Sequence, residues 1–275
     1  MRRPPISGLR LLAAGLLLVN GLFPALWILL TSFKTTIELR QTPITWLPAA
    51  PTVQNYVHAF TDQPLPRFLF NSLAVASLST LLTLFVSALA AYALVRLAIP
   101  GRGAILAAII AVSTFPLVTI LVPLFQILRS LFLLNSYTAL VLPYAVLSLP
   151  VCTLVLMTFF ETIPAELEQA AMVDGCTRLG ALRRIVLPLA APGVFTAGIL
   201  AFVNSWDEFL LALSFNSDPR LRTLPVGITL YQGQFTFPWP EISAALVVGI
   251  VPIAILIVVF QERVVSGLTA GGLKG

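Results

Sequence analysis

Charge is scarce in this chain. Of its 275 residues 10% are Asp, Glu, Lys or Arg, against 58% hydrophobic, and the mean hydropathy is +0.98. A soluble domain carries about 25% charged residues, so the composition excludes an ordinary soluble enzyme and predicts an integral membrane protein. Histidine is scarcer still, with His58 the single one. No H-E-x-x-H zinc site can form, and a serine nucleophile would lack its usual base. Lysine occurs only as Lys34 and Lys274, and neither ends a G-x-x-x-x-G-K-[ST] loop. The chain therefore cannot hydrolyse ATP by that route. Cys152 lies in an apolar run and Cys176 in a polar one. The pair is expected at different membrane levels, as packing residues rather than a disulfide or metal site. No run of Lys and Arg speaks for nucleic acid, so the net charge of +5 is explained by topology.

What is present is a set of six apolar segments long enough to span a bilayer, at about 9–30, 70–95, 103–126, 138–160, 193–214 and 242–260. This predicts an all-α membrane protein of six transmembrane helices. The first segment follows Arg2 and Arg3 but is longer than a signal core, so it reads as a retained helix. With a cytoplasmic N-terminus, 10 Lys and Arg residues fall inside and 6 outside. That bias predicts a multi-pass protein of the cytoplasmic membrane with both termini cytoplasmic. The expected division is 1–69 (first helix plus an outer segment), 70–262 (five-helix core) and 263–275 (tail). Thr83, Ser87 and Ala91 make a small-residue seam for close helix packing in the second span. Pro24, Pro116, Pro123, Pro143, Pro150 and Pro252 are expected inside spans, bending them.

One polar stretch interrupts the apolar pattern, residues 161–192. Glu161, Glu166, Glu168 and Asp174 stand there with Arg178, Arg183 and Arg184. It reads as two short cytoplasmic helices. Pro164 suits the first turn of one, with Glu166 and Glu168 complementing its positive end. Gly175 is the stop, and Thr177 caps a second helix that ends ahead of Pro188. From these residues alone the stretch is a surface connector or a docking element for a soluble partner.

Outside it, Thr52 can cap a short surface helix with Val53, Tyr56, Val57 and Phe60 as its apolar stripe and His58 solvated. The fifth segment carries Asn204, Ser205, Trp206, Asp207 and Glu208, and intramembrane carboxylates face a cavity or a partner. Asn204, Trp206, Asp207 and Glu208 are therefore candidates for a translocation path or a subunit interface, and Asn71, at the head of the second span, is placed with them on the resemblance described below for Asn71-Ser72. A stand-alone proton- or ion-coupled carrier using Asp207 and Glu208 is the alternative to a partner-driven permease. The loop at 215–241 has several aromatics, which anchor it at the membrane interface or meet an external protein.

Within the polar stretch, Gln169-Ala170-Ala171, Gly175, Ile185 and Leu187-Pro188 keep every spacing of the coupling loop in permease subunits of bacterial ABC importers, which this chain resembles. Gln169 stands where that family usually has Glu, with Glu168 beside it about 100° around the helix. The SGLTAGGLKG tail at 266–275, Trp206-Asp207-Glu208-Phe209, Thr223-Leu224-Pro225-Val226-Gly227 and Asn71-Ser72 resemble the smaller permease subunit of maltose-type sugar importers. The resemblance implies the type I importer architecture and alternating-access transport of a mono- or oligosaccharide. It implies a second permease subunit, two ABC ATPase subunits, an extracytoplasmic solute-binding protein and membrane lipid as partners. No cofactor of its own is implied, since ATP is bound by the ATPase. ATPase docking would fall to Glu168, Gln169, Ala170, Ala171, Asp174, Gly175, Ile185, Leu187 and Pro188. The tail residues Gly267, Thr269, Gly271, Gly272 and Lys274 would reach the ATPase interface as part of a flexible glycine-rich tail.

Overall fold

The computed structural model describes residues 8–233 and 237–272, and all regular elements among them are helical. In chain order these are α1 (Gly8–Ser32), α2 (Gln54–Thr61), α3 (Leu65–Arg96), α4 (Arg102–Ser113), α5 (Leu117–Ser130) and α6 (Thr138–Thr162). Then come α7 (Ala165–Val173), α8 (Arg178–Ala181), α9 (Leu187–Leu189), α10 (Ala191–Trp206), α11 (Leu210–Phe215), α12 (Leu224–Thr229) and α13 (Trp239–Gly272). Four helices are long and apolar enough to cross a membrane, and two sharply bent pairs could supply two further spans. One compact unit joins residues 1–66 to 227–251, and the other joins 67–226 to 252–275.

Two of the expected spans are broken. Pro116, expected to bend the third span, lies at a break between α4 and α5, which meet at 96°. Its backbone is extended (φ −64°, ψ 125°), it has no N–H to continue a ladder, and it keeps the preceding residue out of the helical region. The fifth segment, expected over 193–214, ends as a helix at Trp206 and resumes at Leu210.

In the larger unit the expected seam is present. Thr83, Ser87 and Ala91 are fully buried, as is Ser79 one turn before Thr83. The Thr83 hydroxyl donates to Ser79 O at 2.7 Å, so it stays satisfied while its small size lets α6 approach. Leu156, Phe160, Ala197 and Ala201 then fill the core between α6 and α10. Gly193 is obligatory there, because a Cβ would fall 2.4 Å from the Phe159 ring.

In the smaller unit the segment after α1 is stapled by buried polar groups. Asn55 Nδ2 donates to Ser32 O (2.8 Å) and Lys34 O (2.9 Å), and Ser32 shares a 2.7 Å hydrogen bond with Tyr56. Lys34 is buried, donates to Thr45 O and lies over the Trp27 ring, 4.7 Å from its centroid. Glu38 accepts from Thr45 and the Ala49 N–H, and the Thr45 bond above all holds its carboxyl below the usual range. The expected stripe on α2 faces outward: Val53, Val57 and Phe60 are exposed, and Asn55 and Ala59 form the buried face. Hydrogen bonding by Asn55 outweighs the apolar periodicity there.

Candidate functional site: the 161–192 segment and its supports

Pro164 is the N-cap of α7 rather than a first-turn residue, and Glu166 and Glu168 occupy the first turn. The helix ends as its glycine requires. Gly175 has φ +86°, its N–H reaches Met172 O at 3.1 Å, and the Cys176 N–H reaches Ala171 O at 2.9 Å. That pairing is a Schellman ending, which only a left-handed residue can make. Thr177 then caps α8 by accepting from the Gly180 N–H at 3.1 Å.

The second helix does not stop ahead of Pro188. It widens into a π turn over Leu182–Val186 and continues as α9 through Pro188 to Leu189. A proline ring clashes with the carbonyl four residues back, and a wider turn relieves that conflict. The chain then bends by 83° into α10.

Two faces result. Leu182 and Val186 are buried and hold the segment to the helices behind it. Met172, Val173, Leu179 and Leu189 are exposed, Val173 to 86%. Gln169, Ala170, Asp174, Gly175 and Pro188 are exposed on this segment, while Ala171, Ile185 and Leu187 are half-buried. Exposed apolar side chains among Asp174, Arg178, Arg183 and Arg184 make an apolar patch with a charged rim.

Glu168 differs from the other residues of the set. It is 3% exposed, and its Oε1 lies 2.5 Å from Arg96 Nε at the end of α3. Arg96 also donates to Phe160 O (3.0 Å) and Ile163 O (2.7 Å), the last carbonyls before α7. One guanidinium thus fixes the end of α6 and the start of α7. Glu168 positions the segment from inside, and Gln169 is the outward residue. Arg96 figures in the sequence only as a charge marking the end of a span.

Asn71, Asn204, Trp206, Asp207 and Glu208 are not gathered in one place. Asn71 is 1% exposed: its Nδ2 donates to Arg220 O (2.9 Å) and Arg222 O (2.8 Å), and Tyr137 donates to its Oδ1 (2.7 Å). Ser72 accepts the Leu224 N–H at 2.8 Å, so the Asn71-Ser72 pair and the loop before α12 are one built contact. Trp206 is buried and stacked on Phe202. Glu208 accepts from Tyr144 (2.5 Å) and from the N–H groups of Leu211 (2.8 Å) and Ala212 (3.1 Å). Its carboxylate covers the free N–H groups at the start of α11. Asn204 is exposed and donates to Ser148, and Asp207 is exposed in the break after α10.

The tail residues Gly267, Thr269, Gly271 and Gly272 fall on the helical backbone of α13, and Lys274 lies outside the described residues.

Among the described residues, four long apolar helices, two bent pairs and the exposed polar segment mark a polytopic membrane protein. The sequence profile described as "Binding-protein-dependent transport system inner membrane component" matches residues 83–268. The chain belongs to that family, as a multi-pass inner-membrane permease subunit. It is 74% identical over 267 residues to the sulfoquinovosyl glycerol transport system permease protein of Agrobacterium fabrum, covering 97% of this chain and 94% of the relative. It is 39% identical over 270 residues to the trehalose/maltose transport system permease protein of Thermococcus litoralis, covering 97% and 96%. A crystal structure of a bacterial ABC transporter for import of the acidic polysaccharide alginate has the same fold, at TM-score 0.79 and 20% identity over 94% of this chain and 99% of that one. The fold is that of the type I ABC-importer permeases.

Proposed function

We propose that this chain carries a sugar-derived glycoside of the sulfoquinovosyl glycerol type across the cytoplasmic membrane, as one permease subunit of an ATP-binding-cassette importer. The observation that carries the substrate reading is the 74% identity, over 97% of the chain, with a permease named for that solute. A second permease subunit completes the pathway, and an extracytoplasmic binding protein delivers the solute. The ATP is held by separate ATPase subunits that dock on the 161–192 segment, and both termini are cytoplasmic. The exposed Val173, Met172 and Leu179 support docking, since an apolar patch of this kind on a polar segment is stabilised by a partner. Glu168 contributes from within, through Arg96. The helical end of α13, through Gly267, Thr269, Gly271 and Gly272, is read as reaching toward the same ATPases. A coupled carrier is disfavoured by Glu208, whose carboxylate is committed to Tyr144 and two backbone N–H groups.

The test is to purify the chain from membranes with its partners, identify the solute-binding protein by mass spectrometry, and titrate that protein calorimetrically. Tight binding of sulfoquinovosyl glycerol supports the reading. Binding of trehalose or maltose with no response to sulfoquinovosyl glycerol contradicts it.

A further inference from the structure

The loop between α5 and α6 presents one aromatic ring in a costly way. Phe132 is 94% exposed and sits at φ +55°, in the left-handed region that favours glycine. The position is the left-handed residue of a Schellman ending, with the Phe132 N–H on Arg129 O (3.1 Å) and the Leu133 N–H on Leu128 O (2.9 Å). Leu128 is buried, so the ending itself is well packed. Nothing in the packing needs a phenyl ring at 132.

The loop is also held still. Asn135 accepts from Ser217 (3.1 Å) and from the Asp218 N–H (3.0 Å), while its own N–H reaches Phe215 O (3.1 Å). Beside the ring lies a cavity of about 690 Å³ lined by Gln126, Arg129, Ser130, Phe132 and Leu134. Arg129 is exposed and makes no ion pair among the described residues. A rigid exposed aromatic with a free arginine and polar groups around it has the composition of a protein-interface core and rim.

The side of the membrane follows from α6. Its 25 residues run about 37 Å from this loop to the 161–192 segment, enough to cross the hydrocarbon core. The loop is therefore on the opposite face from the ATPase-docking segment. We infer that the α5–α6 loop is a docking surface for the extracytoplasmic solute-binding protein, with Phe132 as its apolar anchor and Arg129 facing an acidic group of that protein. This rests on the importer reading above.

The experiment uses the whole importer in lipid nanodiscs and the pure solute-binding protein identified by copurification. Glycine suits φ +55°, so Phe132→Gly removes the ring without straining the backbone. It should weaken binding of the solute-binding protein by about tenfold or more, while Phe132→Tyr stays within about twofold of the parent. A photo-crosslinking phenylalanine analogue at 132 should link to the solute-binding protein. Unchanged affinity in Phe132→Gly, or cross-links only to lipid or to another permease subunit, overturns the inference. ATP hydrolysis by the unsubstituted complex reports separately on the importer reading, which fails if no ATPase is present.

Discussion

Arg96 and Glu168, 72 residues apart in sequence, meet at 2.5 Å behind the 161–192 segment, with side chains 15% and 4% exposed. The last turn of the long α3 is thereby joined to the first turn of α7. If α7 docks a partner, this ion pair and the two carbonyls that Arg96 also holds join its movement to α3.

Removing one partner should therefore be felt in both stability and coupling. Glu168→Gln leaves the Arg96 charge buried without its counterion, a change that costs about 3–5 kcal/mol in buried pairs. Gln169→Ala, on the exposed side of the same turn, should stay within about 0.5 kcal/mol. Thermal unfolding of the purified complex separates the two. Equal midpoints for both variants would contradict the positioning role of Glu168.

Two glycines should fail for different reasons. At Gly175 nothing lies within 4 Å of a Cβ, so only its φ of +86° penalises a side chain. Gly175→Asn should be tolerated better than Gly175→Val, which loses about 1–2 kcal/mol and the coupling of ATP hydrolysis to uptake. Gly193→Ala is a steric case, with Phe159 at 2.4 Å, and should lose about 1–3 kcal/mol. Phe159→Leu in the same chain should restore part of that loss, whereas it should not rescue Gly175→Val. Melting curves of the five variants check both claims.

His58 gives a pH signature. The hydrogen bond that His58 Nδ1–H donates to the Asp62 carboxylate, at 2.5 Å, raises the imidazole above its ordinary 6.5, and the same bond lowers Asp62 below 3.8. The raised group stabilises α2 fully below pH 6.5 and loses that contribution as pH rises through the folded value. The lowered group contributes fully above 3.8 and loses it as pH falls through its own folded value. The pair is thus fully formed between these limits. As His58 is the only histidine, its imidazole NMR titration is unambiguous. Asp62→Asn should return it toward 6.5, and no movement would contradict the pairing.

The polar segment was the most legible part of the sequence, because its determinants are local. A glycine stop, a threonine cap and first-turn acids each act within four residues. The Schellman ending at Gly175 and the cap at Thr177 follow from them. What could not be read was long-range. The Arg96 bond to Glu168 and the Asn71 bonds to the 220–222 loop join residues 72 and about 150 positions apart. A bend at Pro116 is legible in the sequence, but its sharpness is not, because both flanks are apolar enough to span and composition does not register a missing N–H. The π turn before Pro188 was hidden for the opposite reason: proline was taken as a full stop, but a widened turn accommodates it. Asn71, by resemblance, and Glu208, by residue type, are candidates for a pathway or a subunit interface, and neither signal reveals the loop staple that one forms or the helix cap that the other forms.

Asp207 and Glu208 test the energy source from inside the chain. Asp207→Asn touches an exposed side chain and should leave ATP-driven uptake within about twofold of the parent. Glu208→Gln loses a charged acceptor of three hydrogen bonds and should lower the melting temperature, as a structural role requires. Abolition of transport by Asp207→Asn in a stably folded complex would point back to a coupled carrier.

The most direct test is uptake by the purified complex in proteoliposomes, with the solute-binding protein outside and nucleotide enclosed. The account predicts accumulation of labelled sulfoquinovosyl glycerol that requires hydrolysable ATP, persists when ionophores collapse the ion gradients, and disappears when the ATPase subunits are stripped away. Accumulation by the chain without ATPase, driven by an imposed ion gradient, would contradict it.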